Sequence, residues 1–153
     1  MSDWAATERQ PASVLLAEGV ELHGDLHLQA HVAYREGPES PLEMLNRPDP
    51  YFVLSLADGG VVFISRDQVA VVSCAPRPAI SDPDRMHAAK QATVEVVLWG
   101  GTQYRGWVTI ELPPSRARTL DFLNGAGRFF AVGTETENRF VNRSHVCLVR
   151  PLE

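Results

Sequence analysis

The chain carries one pattern twice. Residues 14–28, VLLAEGVELHGDLHL, lie over residues 96–110, VVLWGGTQYRGWVTI, with the apolar positions in step and Gly19 and Gly24 matched to Gly101 and Gly106. Leu42, Met44, Leu45 and Asn46 fall on Leu120, Phe122, Leu123 and Asn124, and Phe52 falls on Phe130. Residues 63–72, FISRDQVAVV, then match residues 140–149, FVNRSHVCLV. Four matched blocks in one order, drifting in register only where loops belong, mark a duplicated structural unit. The 153 residues therefore divide into a first unit at 11–74, a linker at 75–92 holding Pro76, Pro78 and Pro83, and a second unit at 93–153. A unit of about 60 residues buries a thin core and is marginal alone. The two copies are expected to pack on one another with approximate two-fold symmetry.

Within each copy the apolar period is two. Val20, Leu22, Gly24, Leu26, Leu28, Ala30, Val32 and Tyr34 alternate with Glu21, His23, Asp25, His27, Gln29 and His31, which predicts one long strand with a single buried face. Gly24 is expected to mark a bend or bulge, and the second copy repeats the pattern around Gly106. Gly19 and the Gly100-Gly101 pair suit hairpin turns that need positive φ. Ser40-Pro41-Leu42-Glu43 predicts a capping box with proline at the first helical position. In the second copy Ser115 is expected to cap a helix that ends near Asn124, with Gly125 as a left-handed stop. Leu42, Leu45, Leu120 and Leu123 would then share the face that plugs a barrel end.

Strands at 52–56 and 61–64 meet at Asp58-Gly59-Gly60, and their counterparts lie at 129–132 and 139–141. The four-residue steps 65–68 and 142–145 are too short for an α-helix and suit a 3₁₀ turn before the last strands, 69–72 and 146–149. The expected fold is mainly β: two tandem small five-stranded barrels, each with one short helix, related by a pseudo-two-fold axis.

Composition narrows the function. Hydrophobic residues are 44% and charged residues 22% of the chain, ordinary for a globular protein. No apolar run approaches the roughly 20 residues a membrane helix needs, so no membrane association is expected. The polar start, residues 1–9, lacks the basic and apolar regions of a secretory signal. Cys74 and Cys147, in neither CxxC nor Cys/His spacing, are then expected as two reduced, buried thiols of a cytoplasmic protein. The net charge of −5 disfavours a bulk electrostatic grip on nucleic acid, and no DNA is expected. The charge is uneven: thirteen acidic and seven basic residues fall within 1–90, against six and seven after them. An anionic partner would favour the second half.

The matched blocks resemble the Sm and Sm-like family of small barrels, which includes the bacterial RNA chaperones. Leu98-Trp99-Gly100-Gly101-Thr102-Gln103-Tyr104-Arg105-Gly106, followed by Asp121-Phe122-Leu123-Asn124, is similar to the first Sm motif, and Glu43-Met44-Leu45-Asn46 supplies its end in the first copy. Phe140-Val141-Asn142-Arg143-Ser144-His145-Val146 and Phe63-Ile64-Ser65-Arg66-Asp67-Gln68-Val69 are similar to the second. The resemblance covers most of both copies. It implies a small-barrel fold and an RNA site that would use Arg66, Asn142 and Arg143 on a uracil base.

Other chemistry is sparse. His23, His27 and His31 are spaced by four, but successive members on a strand are about 13 Å apart, too far to share an ion, so solvent-facing histidines are expected and no metal site. Cys147 and His145 share one side of a strand with no oxyanion or nucleophile-elbow pattern beside them. Neither GxGxxG nor GxxxxGK[ST] occurs. No catalytic residue and no cofactor is therefore assigned. Arg105, Arg116, Arg118, Arg128, Arg139 and Arg143 make the second half locally basic, with Trp99, Tyr104 and Trp107 near them in sequence. An exposed Trp99 or Trp107 would mark a protein interface.

The candidate contacts are Arg66, Asn142, Arg143, His145, Arg105, Trp99 and Trp107. The expected function is a non-enzymatic cytoplasmic binding or scaffold module that meets a protein partner, or itself, through barrel faces and edge strands. An Sm-like RNA-binding protein is the alternative, and a small-ligand-sensing barrel a third reading.

Overall fold

The computed structural model describes residues 7–32, 37–76, 90–113, 115 and 118–152. The chain divides after Cys74 into two compact units. Residues 77–89, most of the expected linker, lie outside the described residues.

The first unit runs β1 (Glu8–Leu16), β2 (Glu21–Leu28), α1 (Pro41–Leu45), β3 (Tyr51–Leu56), β4 (Val61–Ser65) and β5 (Val69–Cys74). The second runs β6 (Lys90–Leu98), β7 (Gln103–Ile110), α2 (Thr119–Leu123), β8 (Phe129–Gly133), β9 (Asn138–Asn142) and β10 (Val146–Pro151). Strand order is β5-β1-β2-β3-β4 in the first and β10-β6-β7-β8-β9 in the second, antiparallel throughout. The protein is mainly β, with two similar halves. The predicted single-turn 3₁₀ steps are present at Arg66–Gln68 and Arg143–His145.

Closure of each half into a barrel is not observed. β4 does not pair with β5, nor β9 with β10. A barrel needs a ladder between its last two strands. Here a three-residue 3₁₀ turn carries the chain onward from β4 and from β9 without folding it back as a hairpin. Each half is an open run of five strands.

The core follows the repeat. Val14, Leu26, Leu28 and Leu54 have no exposed surface, and neither do their counterparts Val96, Val108, Ile110 and Val132. These residues lie two apart along their strands, so one face of each sheet is dry. Gly24 and Gly106 sit within continuous pairing registers, so no bulge lies at either; register shifts occur instead between Leu15 and Leu16 and between Val146 and Leu148. What excludes a side chain is proximity. A Cβ on Gly24 would lie 2.2 Å from the Ser55 carbonyl oxygen, and one on Gly106 would lie 2.4 Å from that of Gly133.

The long strand expected through Tyr34 ends at Leu28. There the Glu39 amide donates to the Gln29 carbonyl (2.8 Å), and the Gln29 amide donates to Glu39 Oε1 (3.1 Å), which takes the ladder's hydrogen bonds elsewhere. Residues 33–36 lie outside the described residues. Glu39 is 3% exposed and accepts from the Arg47 guanidinium through both carboxylate oxygens, a bidentate arrangement that desolvation strengthens.

The two helices differ. In α1 the capping box forms as the sequence predicts: the Glu43 amide donates to Ser40 Oγ (3.1 Å), and the Ser40 amide donates to Glu43 Oε1 (2.8 Å). In α2 the N-cap is Arg118 rather than Ser115 and makes no side-chain cap. The left-handed glycine of that loop is Gly127 (φ 100°) and not Gly125. The shared plugging face also fails. Met44 and Leu45 are buried, whereas Leu120 is 63% exposed and α2 buries no residue. Without a side-chain cap or a buried residue, α2 packs through Phe122, whose ring meets Phe130 edge-on with centroids 5.8 Å apart.

Candidate functional site

Two strands have a single neighbour. Among the described residues β4 is flanked only by β3, and β10 only by β6. An open edge displays unpaired amides and carbonyls and is a template for another strand. Both edges are apolar. Phe63 on β4 is 65% exposed, Val61 43%, and Tyr51 on neighbouring β3 61%. Phe63 lies opposite Val53 and Val61 opposite Ser55, on the face turned away from the core, where Tyr51 also lies. A cleft of about 380 Å³ adjoins this patch, lined in part by His27, Gln29, Met44, Tyr51, Val53 and Phe63. On β10, Leu148 is 40% exposed and Cys147 is an exposed free thiol, whereas Cys74 is buried. The expectation that both thiols are buried is thus met only by Cys74, because no described strand covers the outer edge of β10.

The repeated arginine has a structural role in both copies. Arg66 has no exposed surface. Its guanidinium donates to the carbonyls of Asp49 (2.5 Å), Tyr51 (2.7 Å) and Met44 (3.0 Å) and lies 5.3 Å from the centre of the Phe52 ring. Arg143 donates to the carbonyls of Phe122 (3.1 Å), Leu123 (3.1 Å), Gly127 (2.7 Å) and Phe129 (3.4 Å), and sits over Phe122 and Phe130. Each arginine pins the C-terminal end of the short helix to the start of the following strand, where carbonyls would otherwise lack donors. Arg143 is half-buried, and burial lowers its pKa from the ordinary arginine value. Asn142 also has no exposed surface; its Oδ1 accepts from the Ser144 amide (3.1 Å) and hydroxyl (2.8 Å). Arg66 and Asn142 therefore present no surface to a base.

The remaining candidates form two groups within the second unit. His145 and Trp99 meet at the backbone, where the Trp99 amide donates to the His145 carbonyl (3.0 Å), and Trp99 is 70% exposed at its turn. Arg105 and Trp107 lie on the outer face of β7. Trp107 is 36% exposed and its ring lies where a Cβ on Gly133 would be, 2.8 Å from Nε1.

Arg105 bonds Glu95 (2.9 Å), which Arg150 also bonds (2.8 Å), across β7, β6 and β10. The hydrogen bond from Arg105, then that from Arg150, hold the Glu95 carboxyl below its ordinary pKa. A carboxylate depressed in the folded state contributes stability above its unfolded pKa and loses it as pH falls through the folded value. Glu95→Gln is therefore expected to be less stable than the parent near neutrality and to lose less stability on acidification, measured as the denaturant midpoint against pH.

One polar network was not legible in the sequence. His27 is 5% exposed, contrary to the expected solvent-facing position, with Nδ1 2.9 Å from Thr7 Oγ1 and Nε2 2.7 Å from Ser55 Oγ. Ser55 is itself 7% exposed, so the chain of hydroxyl, imidazole and hydroxyl satisfies buried polar groups. His23 and His31 are exposed. Among the described residues no three metal-binding side chains cluster, and no helix is long and apolar enough to cross a membrane. No protein-family model matches the chain, and neither a curated protein nor a solved structure matches it.

Proposed function

We propose that the chain is a non-enzymatic binding or scaffold module that recognises protein through its open strand edges. The observation that carries this reading is the coincidence, at β4, of an unpaired edge with the exposed rings of Phe63 and Tyr51. An extended segment added there gains main-chain hydrogen bonds from the edge and side-chain contacts from the patch. The adjoining cleft offers room for one of its side chains. Covering Phe63 alone contributes about 2 kcal/mol. The exposed free thiol of Cys147 fits a reducing, cytoplasmic compartment.

Affinity capture with the tagged chain tests the reading. A polypeptide, another chain or the same one untagged, is expected to co-purify with the parent and to be lost from a Phe63→Asp, Leu148→Asp double variant whose circular dichroism is unchanged. Capture indifferent to both substitutions, or no co-purifying polypeptide at all, overturns it.

RNA binding of the Sm-like kind has weaker support, since Arg66 and Asn142 are buried and Arg143 serves backbone carbonyls. The chain is expected to show no measurable affinity for a short oligouridine at low salt, where phosphate contacts are strongest.

A further inference from the structure

We propose that the partner is a second copy of this chain, whose β10 adds to the β4 edge of its neighbour. The inference rests on the edge-strand reading above and names its partner. It comes from comparing the copies residue by residue. Phe63 is 65% exposed, yet its repeat counterpart Phe140 is 5% exposed. Leu148 is 40% exposed, yet its counterpart Val71 is 1% exposed. Cys147 is exposed, and its counterpart Ala70 is 5% exposed.

The exposures are reciprocal. The fourth strand of the pattern is open in the first copy and buried over Phe140–Asn142 in the second. The fifth strand is buried at all but one residue in the first copy and at none in the second. A duplicated pattern that keeps these two positions buried once each leaves one open example of each per chain. The two open examples are the complementary pair.

Length and charge agree. β4 has five residues and β10 six. Every strand pairing within each unit is antiparallel. An antiparallel addition runs the segment flanked by Asp58 and Asp67 against the strand that follows His145 and carries Arg150. Arg105 and Arg150 together outnumber Glu95 by one charge on the β10 side. The more acidic half of one chain thus meets the more basic half of the next. Leu148, opposite Val97, and Phe63, opposite Val53, both lie on faces turned from the core, so the addition brings them together. Because each contact joins two different edges, it is head-to-tail and leads to a closed ring or an open row.

The test is mass in solution by light scattering on the full chain, with Phe63→Asp blocking β4 and Leu148→Asp blocking β10. The parent is expected to assemble with rising concentration. Each variant alone is expected to remain monomeric. Their equimolar mixture retains one intact β4 and one intact β10, so a twofold rise in mass and nothing larger is expected. The thiol of Cys147, exposed on β10, gives a second readout that leaves both apolar edges in place: its rate of alkylation is expected to fall as the parent assembles with concentration and to stay constant in Phe63→Asp. A monomeric parent, a single variant that still assembles, or a mixture that stays monomeric overturns the proposal. If the parent is monomeric while a different polypeptide co-purifies through the same edges, self-pairing falls and the binding-module reading stands.

Discussion

Arg66→Ala is expected to be the most damaging single truncation in the first unit, at about 3–5 kcal/mol, because it empties a fully buried site and a carbonyl that stays buried without its donor costs about 1–3 kcal/mol. Three carbonyls depend on this guanidinium: Met44 at the end of α1, Asp49 in the following loop and Tyr51 at the start of β3. Stacking on Phe52 is lost as well. Lysine cannot reproduce a planar fork that serves three acceptors, so Arg66→Lys is expected to recover only part of the loss. Arg143→Ala is expected to cost less, since Arg143 is half-buried and water can reach the carbonyls it leaves. Denaturant midpoints followed by circular dichroism check the order Arg66→Ala, then Arg66→Lys, then Arg143→Ala. Equal losses at the two arginines would contradict it.

Gly24→Ala and Gly106→Ala are expected to destabilise by at least the 1–3 kcal/mol or so typical of overpacking. The obstacle in each case is the backbone of the adjacent strand. On Gly24 the new methyl would lie 2.2 Å from the Ser55 carbonyl oxygen, and on Gly106 it would lie 2.4 Å from the Gly133 oxygen and 2.7 Å from Val132 Cγ1. The β2–β3 ladder at Gly24↔Leu56 has to open to admit it, and so does the single β7–β8 pair at Trp107↔Gly133. Gly19→Asn supplies the contrast. Gly19 has φ 85° with nothing within 4 Å of its missing Cβ, and asparagine tolerates that backbone. Thermal midpoints are expected to fall strongly for the first two variants and little for the third.

The repeat was legible because apolar side chains recur where the same face is buried twice. Val14, Leu26 and Leu28 match Val96, Val108 and Ile110 in both sequence and burial. The capping box of α1 was legible for a similar reason, since Ser40 and Glu43 act on backbone groups within three residues. The role of Arg66 was not. Its acceptors lie 15–22 residues away in the chain, and an arginine before an exposed Asp67 reads equally well as a surface contact. His27 was misplaced for the same reason. The strand period puts it on the polar face, but Thr7 and Ser55, far off in sequence, cover that part of the face.

The amino-acid sequence by itself determined that the chain has two similar mainly-β halves, the capping box of α1 and the glycines at its hairpin turns, whereas the close strand approach at Gly24 and Gly106 came from the tertiary structure. The former depend on local periods, on caps and on backbone freedom, which are properties of neighbouring residues. Only the tertiary structure decided that neither half closes, which repeated side chains are buried, and which edges are open. Phe63 and Phe140 occupy the same place in the pattern, yet one is 65% and the other 5% exposed. Burial depends on what lies beside a strand in space, and a one-dimensional pattern repeated in two copies assigns the same side chain to both.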